Sequence, residues 1–336
     1  MLNTLQLESL DEKLNEVVVT GTQKEVNRIE SPVPVEIYTA KFFKKNPTPS
    51  IFEALQNVNG VRPQLNCNIC NTGDIHINGL EGPYTMILID RMPIVSSLST
   101  VYGLSGIPNS LIDRIEVVKG ADALNNGVGD PSATINMIRK RPTQDLQASF
   151  NASYGSWNTQ RYEADVSSAL TQDGKIRGRV FGYEQTGDSY LDNYELEKNG
   201  FGAIIEADLT DSTLFTAGYT ETNNKSNGNN WGANPLINTE GEQLDYSRDY
   251  NYSPDWTYWD TNIKNYFAEL QQKLGGDWVA KLSYDEKHTT RNSKLLFLSG
   301  NPSADGTSGV YLWPGIYEDD NKARQANLNI SGTYPL

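Results

Sequence analysis

The sequence predicts a mainly β protein, with an α+β domain followed by antiparallel strands of a transmembrane β-barrel. Three observations carry this. Before about residue 142, short apolar strands alternate with helical signals; after it come segments about ten residues long in which apolar and polar side chains alternate. The links between those segments switch between tight turns and long loops.

Composition narrows the class. The chain has 336 residues, with 28 Lys and Arg against 42 Asp and Glu, a net charge of −14. Phosphate binding needs clustered cations, and here they are scattered and outnumbered, so no nucleic-acid partner is expected. The longest apolar runs, Met86 to Ile89 and Leu295 to Leu298, fall far short of the ~20 residues that a spanning helix needs. With 18 Tyr, 9 Phe and 6 Trp the chain is too aromatic to stay unpacked. The opening MLNTLQLESLDEKLNE has no basic start and no apolar core, so no signal peptide is read there.

In the first domain, TPSIFEALQNVNG predicts a helix: Thr48 as N-cap, Pro49 at the first helical position, Ile51, Leu55 and Val58 on one face, and Gly60 as the stop. Strands are predicted at Asp74 to Asn78, Tyr84 to Asp90, Arg114 to Val118 and Thr134 to Arg139, each bounded by turn residues. Together they suggest a small mixed sheet with a helix or two. Cys67 and Cys70 form a CxxC in a loop-like NCNICNTGD. With His76 and His288 the only imidazoles, zinc lacks ligands, and a structural disulfide is favoured over free thiols.

In the second half, strands are predicted near 146–154, 161–170, 175–185, 200–209, 213–222, 262–274, 278–288 and 323–332. Tyr162, Ala164 and Val166 oppose Glu163, Asp165 and Ser167, and Phe201, Ala203 and Ile205 oppose Gly202, Ile204 and Glu206. Tight turns QDG, TDS and GGD face long links near 186–199, 223–261 and 289–322, the asymmetry of an outer-membrane barrel. Tyr154, Tyr162, Phe201, Tyr266 and Trp278 sit at segment ends, where interfacial girdles lie. Eight strands close on a lumen that their own side chains fill. The first domain would not fit inside, so it lies outside the barrel or the barrel is only partly present.

Several stretches then carry a family likeness. EVVVTGT is followed by PVPVEIYTA, IFEALQNVNGVR, GDIHINGLEGPYTMILIDRMPI, IPNSLIDRIEVVKGADAL and SATINMIRKRPT. The chain resembles a TonB-dependent outer-membrane ferric-siderophore receptor. The resemblance implies a flexible N-terminus with an energy-coupling box over 1–30, a plug over 31–142 and a partial barrel over 143–336. About 8 strands of an expected 22 are counted, so the chain reads as an N-terminal fragment. Residues 31 to 120 are most similar to Bacteroidetes plugs; from about 121 onward the likeness is to receptors of the coprogen and pyoverdine type.

What the resemblance implies is transport and not enzymatic chemistry. No nucleophile stands beside a base, and GADALNNGVGD lacks the spacing of a phosphate loop. The expected activity is TonB-dependent uptake of a ferric siderophore, a coprogen-like hydroxamate, across the bacterial outer membrane. No cofactor is expected, because iron arrives already chelated. The implied partners are the TonB energy-transducing protein, the chelate and outer-membrane lipid.

The TonB box is Glu16, Val17, Val18, Val19, Thr20 and Gly21, an extended segment able to add a strand to a partner's sheet. A chelate receptor needs aromatic faces, donors and a cation. The expected ligand-binding residues are therefore Asn78, Leu80, Glu81, Arg91, Pro93, Val95, Ser96, Ser97 and Tyr102 of the plug, with Trp231, Trp256, Tyr258 and Trp259 of the long loops. Arg114 and Lys119 are expected to pair with the barrel wall, and Arg139, Lys140 and Arg141 to be a solvated exit. The alternatives are a haem or cobalamin receptor, with His76 the one plug ligand for haem, and a β-rich carbohydrate-binding or adhesion module.

Overall fold

The computed structural model describes residues 17–18, 20, 26–27, 30–31, 33–45, 51–65, 73–77, 79, 85–94, 107, 111–119 and 133–333. The first elements are β1 (Val17–Val18), β2 (Val26–Asn27), β3 (Val35–Thr39), α1 (Ala40–Lys45) and α2 (Ile51–Ala54), which tightens into a 3-10 turn over Leu55–Asn57. Next come β4 (Val61–Leu65), β5 (Gly73–Ile77), β6 (Thr85–Ile89), β7 (Met92–Pro93), β8 (Ile112–Lys119) and β9 (Ala133–Arg139). Eight further strands complete the described chain: β10 (Gln147–Tyr154), β11 (Gln160–Ala169), β12 (Ile176–Asp188), β13 (Glu195–Thr210), β14 (Thr213–Asn227), β15 (Tyr258–Gly275), β16 (Trp278–Ser299) and β17 (Tyr311–Ser331).

The plug is a mixed five-stranded sheet in the order β3-β8-β9-β6-β7, in which β6 and β9 run parallel. The four predicted strands are present as β5, β6, β8 and β9; β3, β4 and β7 were not among those predicted. Ile51, Leu55 and Val58 all face the core, and Gly60 ends the turn at φ +69°. The predicted cap, Thr48 and Pro49, lies outside the described residues. Ile75 and Ile77 are fully buried, while His76 stands on the opposite face across from Arg62.

β10 to β17 form one antiparallel sheet in sequence order, the wall, with β10 and β17 as its two edges. Its outward face is apolar: Val166, Val180, Ile205, Leu270 and Leu282 are all exposed. Above them runs an aromatic row in which Phe201, Tyr219 and Tyr266 are cross-strand neighbours at 5.7 and 4.7 Å. The tyrosines mark the upper limit of the oily band, since each donates its hydroxyl to a polar residue two positions further up its own strand: Tyr162 to Gln160, Tyr219 to Glu221 and Tyr284 to Glu286. Eight residues separate Leu274 from Tyr266. At ~3.3 Å per residue and a ~40° tilt, that makes a band about 20 Å tall, close to the ~25 Å of an outer-membrane barrel.

The inward face closes on the plug. Phe181, Ile204 and Phe267 join the plug's own core, packed with Ile87, Ile115 and Met137. Glycine makes room for them: a side chain on Gly202 would strike the Phe181 ring, and one on Gly218 the Phe267 ring. Plug and wall therefore share one core.

The predicted long links are shorter than expected, because the strands run on, β16 to Ser299 and β17 from Tyr311. Just above the aromatic row, from Asp285 to Lys294 on β16 and from Glu318 to Lys322 on β17, both faces of the sheet are polar, so hydrophobic alternation fades there while the backbone ladder continues. The acidic run Glu318, Asp319, Asp320 is accordingly strand, with Asp319 paired to Arg291 and Asp320 to His288.

Candidate functional site

The plug's exit is a clamp, which corrects the expectation of a solvated segment. Arg139 is 4% exposed; it pairs with Asp90 at 3.0 Å, donates to Asn265 at 2.7 Å and lies 4.0 Å above the Phe267 ring, with Asp285 at 3.6 Å. Lys140 reaches Asp165, and Arg141 reaches Glu206 and Glu269. These acids are inward positions on β11, β13, β15 and β16, so a short stretch of backbone is tied across six strands of wall. Burying such charges is tolerable only because each is paired.

Asp90 and Arg91 form the β6–β7 hairpin turn, with φ of +46° and +69°, a conformation costly for residues other than glycine. The turn is held by Asn136, whose Oδ1 accepts from the Arg91 amide, and by the Arg139 amide donating to Asp90. Burial alone would push the Asp90 carboxyl up; Arg141 and Arg139 beside it hold it below the usual carboxylate range.

Arg114 and Lys119 pair inside the plug, not with the wall. Arg114 bonds Glu116 at 2.9 Å, and Lys119 bonds Glu36 at 2.8 Å. The register puts them beside acids of their own sheet, closer than any strand of the wall.

Glu116 is fully buried and holds Thr20. Its Oε2 accepts from the Thr20 amide at 2.9 Å and the Thr20 hydroxyl at 2.5 Å, and Asn136 Nδ2 donates to that hydroxyl at 3.0 Å. Val18 is buried with Val33, Val35 and Val118, and β1 pairs with β2. Asn136 thus touches both Thr20 and the Asp90–Arg91 turn. Glu16, Val19 and Gly21 lie outside the described residues.

Of the expected ligand-binding residues, Asn78, Leu80, Glu81, Val95, Ser96, Ser97 and Tyr102 lie outside the described residues, as do Cys67 and Cys70. Pro93 lines a hollow between plug and wall, and its carbonyl accepts from Gln325. Arg91 is at the other end: it lines a cavity of about 490 Å³ with Asp277 and Ser331, on the side of the tight turns. An outward-facing role does not fit that position.

The four loop aromatics divide by face. Trp259, 2% exposed, faces the lumen and packs on Leu295, with Trp231 and Tyr317 alongside. Trp231 meets Phe297 and Tyr317 edge-on at 5.2 and 5.0 Å. Arg291 lies 5.4 Å over Trp259 and 5.9 Å over Tyr317. Tyr258 falls on the outward face with Tyr266, and Trp256 lies 5.0 Å under Lys294, also outward. The structure does not bring Trp256 and Tyr258 to the lumen: Tyr258 points opposite to its strand neighbour Trp259, and Trp256 lies in the turn before the strand.

Sequence reasoning missed the polar lining of the upper lumen. Arg161 lies over Tyr183 at 4.6 Å and bonds Gln185 and Glu163, while Lys198, Thr222 and Asn224 are buried on the same inward face. The parity that buries Asp165 and Glu206 extends upward to these residues and was the available signal. The lining is polar, aromatic and cationic, suited to a bulky polar anion or chelate.

Residues 27–134 match the TonB-dependent receptor plug domain, and the chain belongs to the TonB-dependent receptors, proteins of the bacterial outer membrane. Among individual proteins, it is 32% identical over 227 residues to the ferripyoverdine receptor of Pseudomonas aeruginosa, covering 67% of this chain and 28% of that protein. It is 33% identical over 288 residues to the ferric-pyoverdine 358 receptor of Pseudomonas putida, covering 84% of this chain and 34% of that one. The crystal structure of the P. aeruginosa outer-membrane ferripyoverdine receptor bound to ferripyoverdine superposes with a TM-score of 0.86 at 26% identity, over 96% of this chain and 42% of that one. The chain therefore spans about a third of the length of the curated relatives it matches.

Proposed function

We propose that this chain forms the plug and first wall strands of a receptor that takes up a ferric siderophore of the pyoverdine kind in a TonB-dependent manner. The observation that carries the reading is the similarity to two ferric-pyoverdine receptors at 32% and 33% identity. Both relatives are named for pyoverdines, which supports a pyoverdine over the coprogen-like hydroxamate expected from sequence. The boundaries 1–30, 31–142 and 143–336 are proposed for the coupling segment, plug and wall.

In this reading the chelate enters the lumen from the side of the long loops. It meets the cation and aromatic pairs Arg161–Tyr183 and Arg291–Trp259, together with the plug residues expected from sequence between Asn78 and Glu81 and between Pro93 and Tyr102. Iron is cargo, held by its chelator, so the protein supplies shape, donors and charge and not metal ligands. Glu16 to Gly21 adds a strand to TonB once Thr20 leaves Glu116. Outer-membrane lipid covers the oily band, and the open edges of β10 and β17 pair with other strands, since hydrocarbon leaves no backbone group unpaired.

The test is iron-limited growth of a strain lacking its own siderophore receptors, complemented with the full-length gene and fed single ferric chelates. Growth on ferric pyoverdines, lost when residues 16–21 are deleted, is expected. Growth on haem or cobalamin alone would overturn the reading.

A further inference from the structure

We infer that Arg177, Arg179 and Lys281 are release residues, wall cations that keep the clamp's acids paired when the plug's cations withdraw. The inference rests on the proposed TonB-dependent uptake, in which the plug parts from the wall and returns.

Three wall acids of the clamp are each shared between a cation that leaves and one that stays. Asp165 accepts from Lys140 at 3.2 Å and from both arms of Arg179 at 2.8 and 2.5 Å. Glu206 lies 3.6 Å from Arg141 and 3.6 Å from Arg177, its direct cross-strand neighbour, which also holds Asp208 at 2.6 Å. Glu269 lies 3.4 Å from Arg141 and 2.8 Å from Lys281. The fourth acid, Asp285, keeps the Asn265 amide at 3.0 Å, and on the plug side Asp90 departs with Arg139. The line of parting is marked in the backbone. The Lys140 amide donates to the Leu111 carbonyl of the plug at 2.8 Å, and the Thr143 amide donates to Ser167 of the wall at 2.8 Å. Between them the Arg141 carbonyl accepts from Arg179 at 3.1 Å. Stretching this link draws Lys140 and Arg141 off their acids.

The resident cations set the energy of that step. Asp165, Glu206 and Glu269 are buried, and a buried carboxylate stripped of its partner is strongly unfavourable. With a second cation in place, withdrawal exchanges a shared partner for a private one. Two cations at one acid also repel each other, so the resident loosens the hold of the one that departs. Glu269 is the clearest case. Its direct cross-strand neighbours are the uncharged Thr216 and Ser283, and Asp285 lies diagonal to it with the same charge. Without Lys281, the departure of Arg141 would orphan Glu269 in the wall.

The experiment compares Lys281→Gln, Lys281→Arg and the double variant Lys281→Gln with Glu269→Gln against wild type, in the full-length receptor in detergent. Plug release in urea is read by protease cleavage near residue 140. Lys281→Gln is expected to raise the release midpoint by about 0.7 M, equivalent to a tenfold shift in the equilibrium, because the released state now carries the orphaned acid. Lys281→Arg keeps the cation and should stay within about 0.3 M of wild type. The double variant has no acid to orphan and should fall to wild type or below. A lysine that merely held the wall together would do the reverse, and its loss would lower the midpoint. In cells, the maximal rate of ferric-chelate uptake per folded receptor should fall roughly tenfold in Lys281→Gln, with the half-saturating concentration unchanged. A lowered or unchanged midpoint, a double variant that stays high, or an unchanged uptake rate would overturn the inference. Arg177→Gln repeats the test at Glu206, with the same rise expected, if Lys281→Gln does not reach the membrane. A wild-type receptor that takes up no ferric chelate fails the transport reading itself; one that transports while Lys281→Gln leaves release unchanged fails this inference alone.

Discussion

Replacing Arg139 with Met should loosen the plug from the wall more than any other single change in the clamp. The substitution keeps the stem's volume and removes the guanidinium. It deletes the 3.0 Å pair to Asp90, the 2.7 Å donation to Asn265 and the 4.0 Å stack on Phe267. Asp90 and Asp285 would keep their burial with less charge around them. Breaking a buried pair from one side costs about 3–5 kcal/mol, and a desolvated cation–π contact adds up to ~2. With Lys140, Arg141 and Lys281 nearby to compensate in part, about 3 kcal/mol is the expected loss. At an m-value near 2 kcal/mol/M this moves the urea midpoint of plug unfolding down by about 1.5 M. The assay is urea titration of the full-length receptor in detergent, with plug release read by protease cleavage near residue 140. Arg139→Met combined with Asp90→Asn should recover part of the loss, because the orphaned carboxylate is gone. A midpoint within about 0.3 M of wild type for the single variant would refute the clamp.

Other outcomes follow from the same geometry. Asp90 titrates below its unfolded value, so its contribution is complete above the unfolded pKa of ~3.9 and is lost as pH falls through the lower folded pKa. Plug release should therefore be flat from pH 7 to 5 and rise only below about 4, with that acid component missing in Asp90→Asn; a transition near pH 6 would contradict it. Glu116→Gln should raise hydrogen exchange at the Thr20 amide roughly tenfold or more, by weakening a charge-assisted bond, and unchanged exchange would argue against the anchor. Gly218→Val would drive a side chain into Phe267 and should cost about 1–3 kcal/mol, read as reduced heat-modifiable receptor at equal expression.

Legibility in the sequence followed physical contrast. From Tyr162 to Leu170 and Phe201 to Leu209 one face meets an apolar environment and the other a polar interior, so alternation revealed both strand and facing. Just above the aromatic row, over Asp285 to Lys294 and Glu318 to Lys322, that contrast disappears. The upper halves of β16 and β17 therefore looked like loop, and the sides of Trp256 and Tyr258 went unread. Arg139 to Arg141 looked solvated because a cation paired in the interior and a cation in water are the same letter; the acids that pair with them lie 25 to 146 positions away. Arg91 sits in a turn whose motif was legible but whose direction depends on how the plug sits in the wall. In β9 the alternation of Thr134 and Asn136 with Ile135 and Met137 showed a strand but not that both its faces are buried, since a buried hydrogen-bonded Asn and a solvated one are the same letter.

The central claim is that the second half of the chain is a lipid-facing wall folded around the first. Nitroxide labels placed singly at Ile205, Leu270 and Leu282, and at Thr216, Glu269 and Ser283, in the full-length receptor in outer membranes test it most directly. The account predicts the first three accessible to dissolved oxygen and shielded from a water-soluble nickel chelate, and the second three shielded from oxygen. Equal exposure of both sets to the nickel chelate would contradict it.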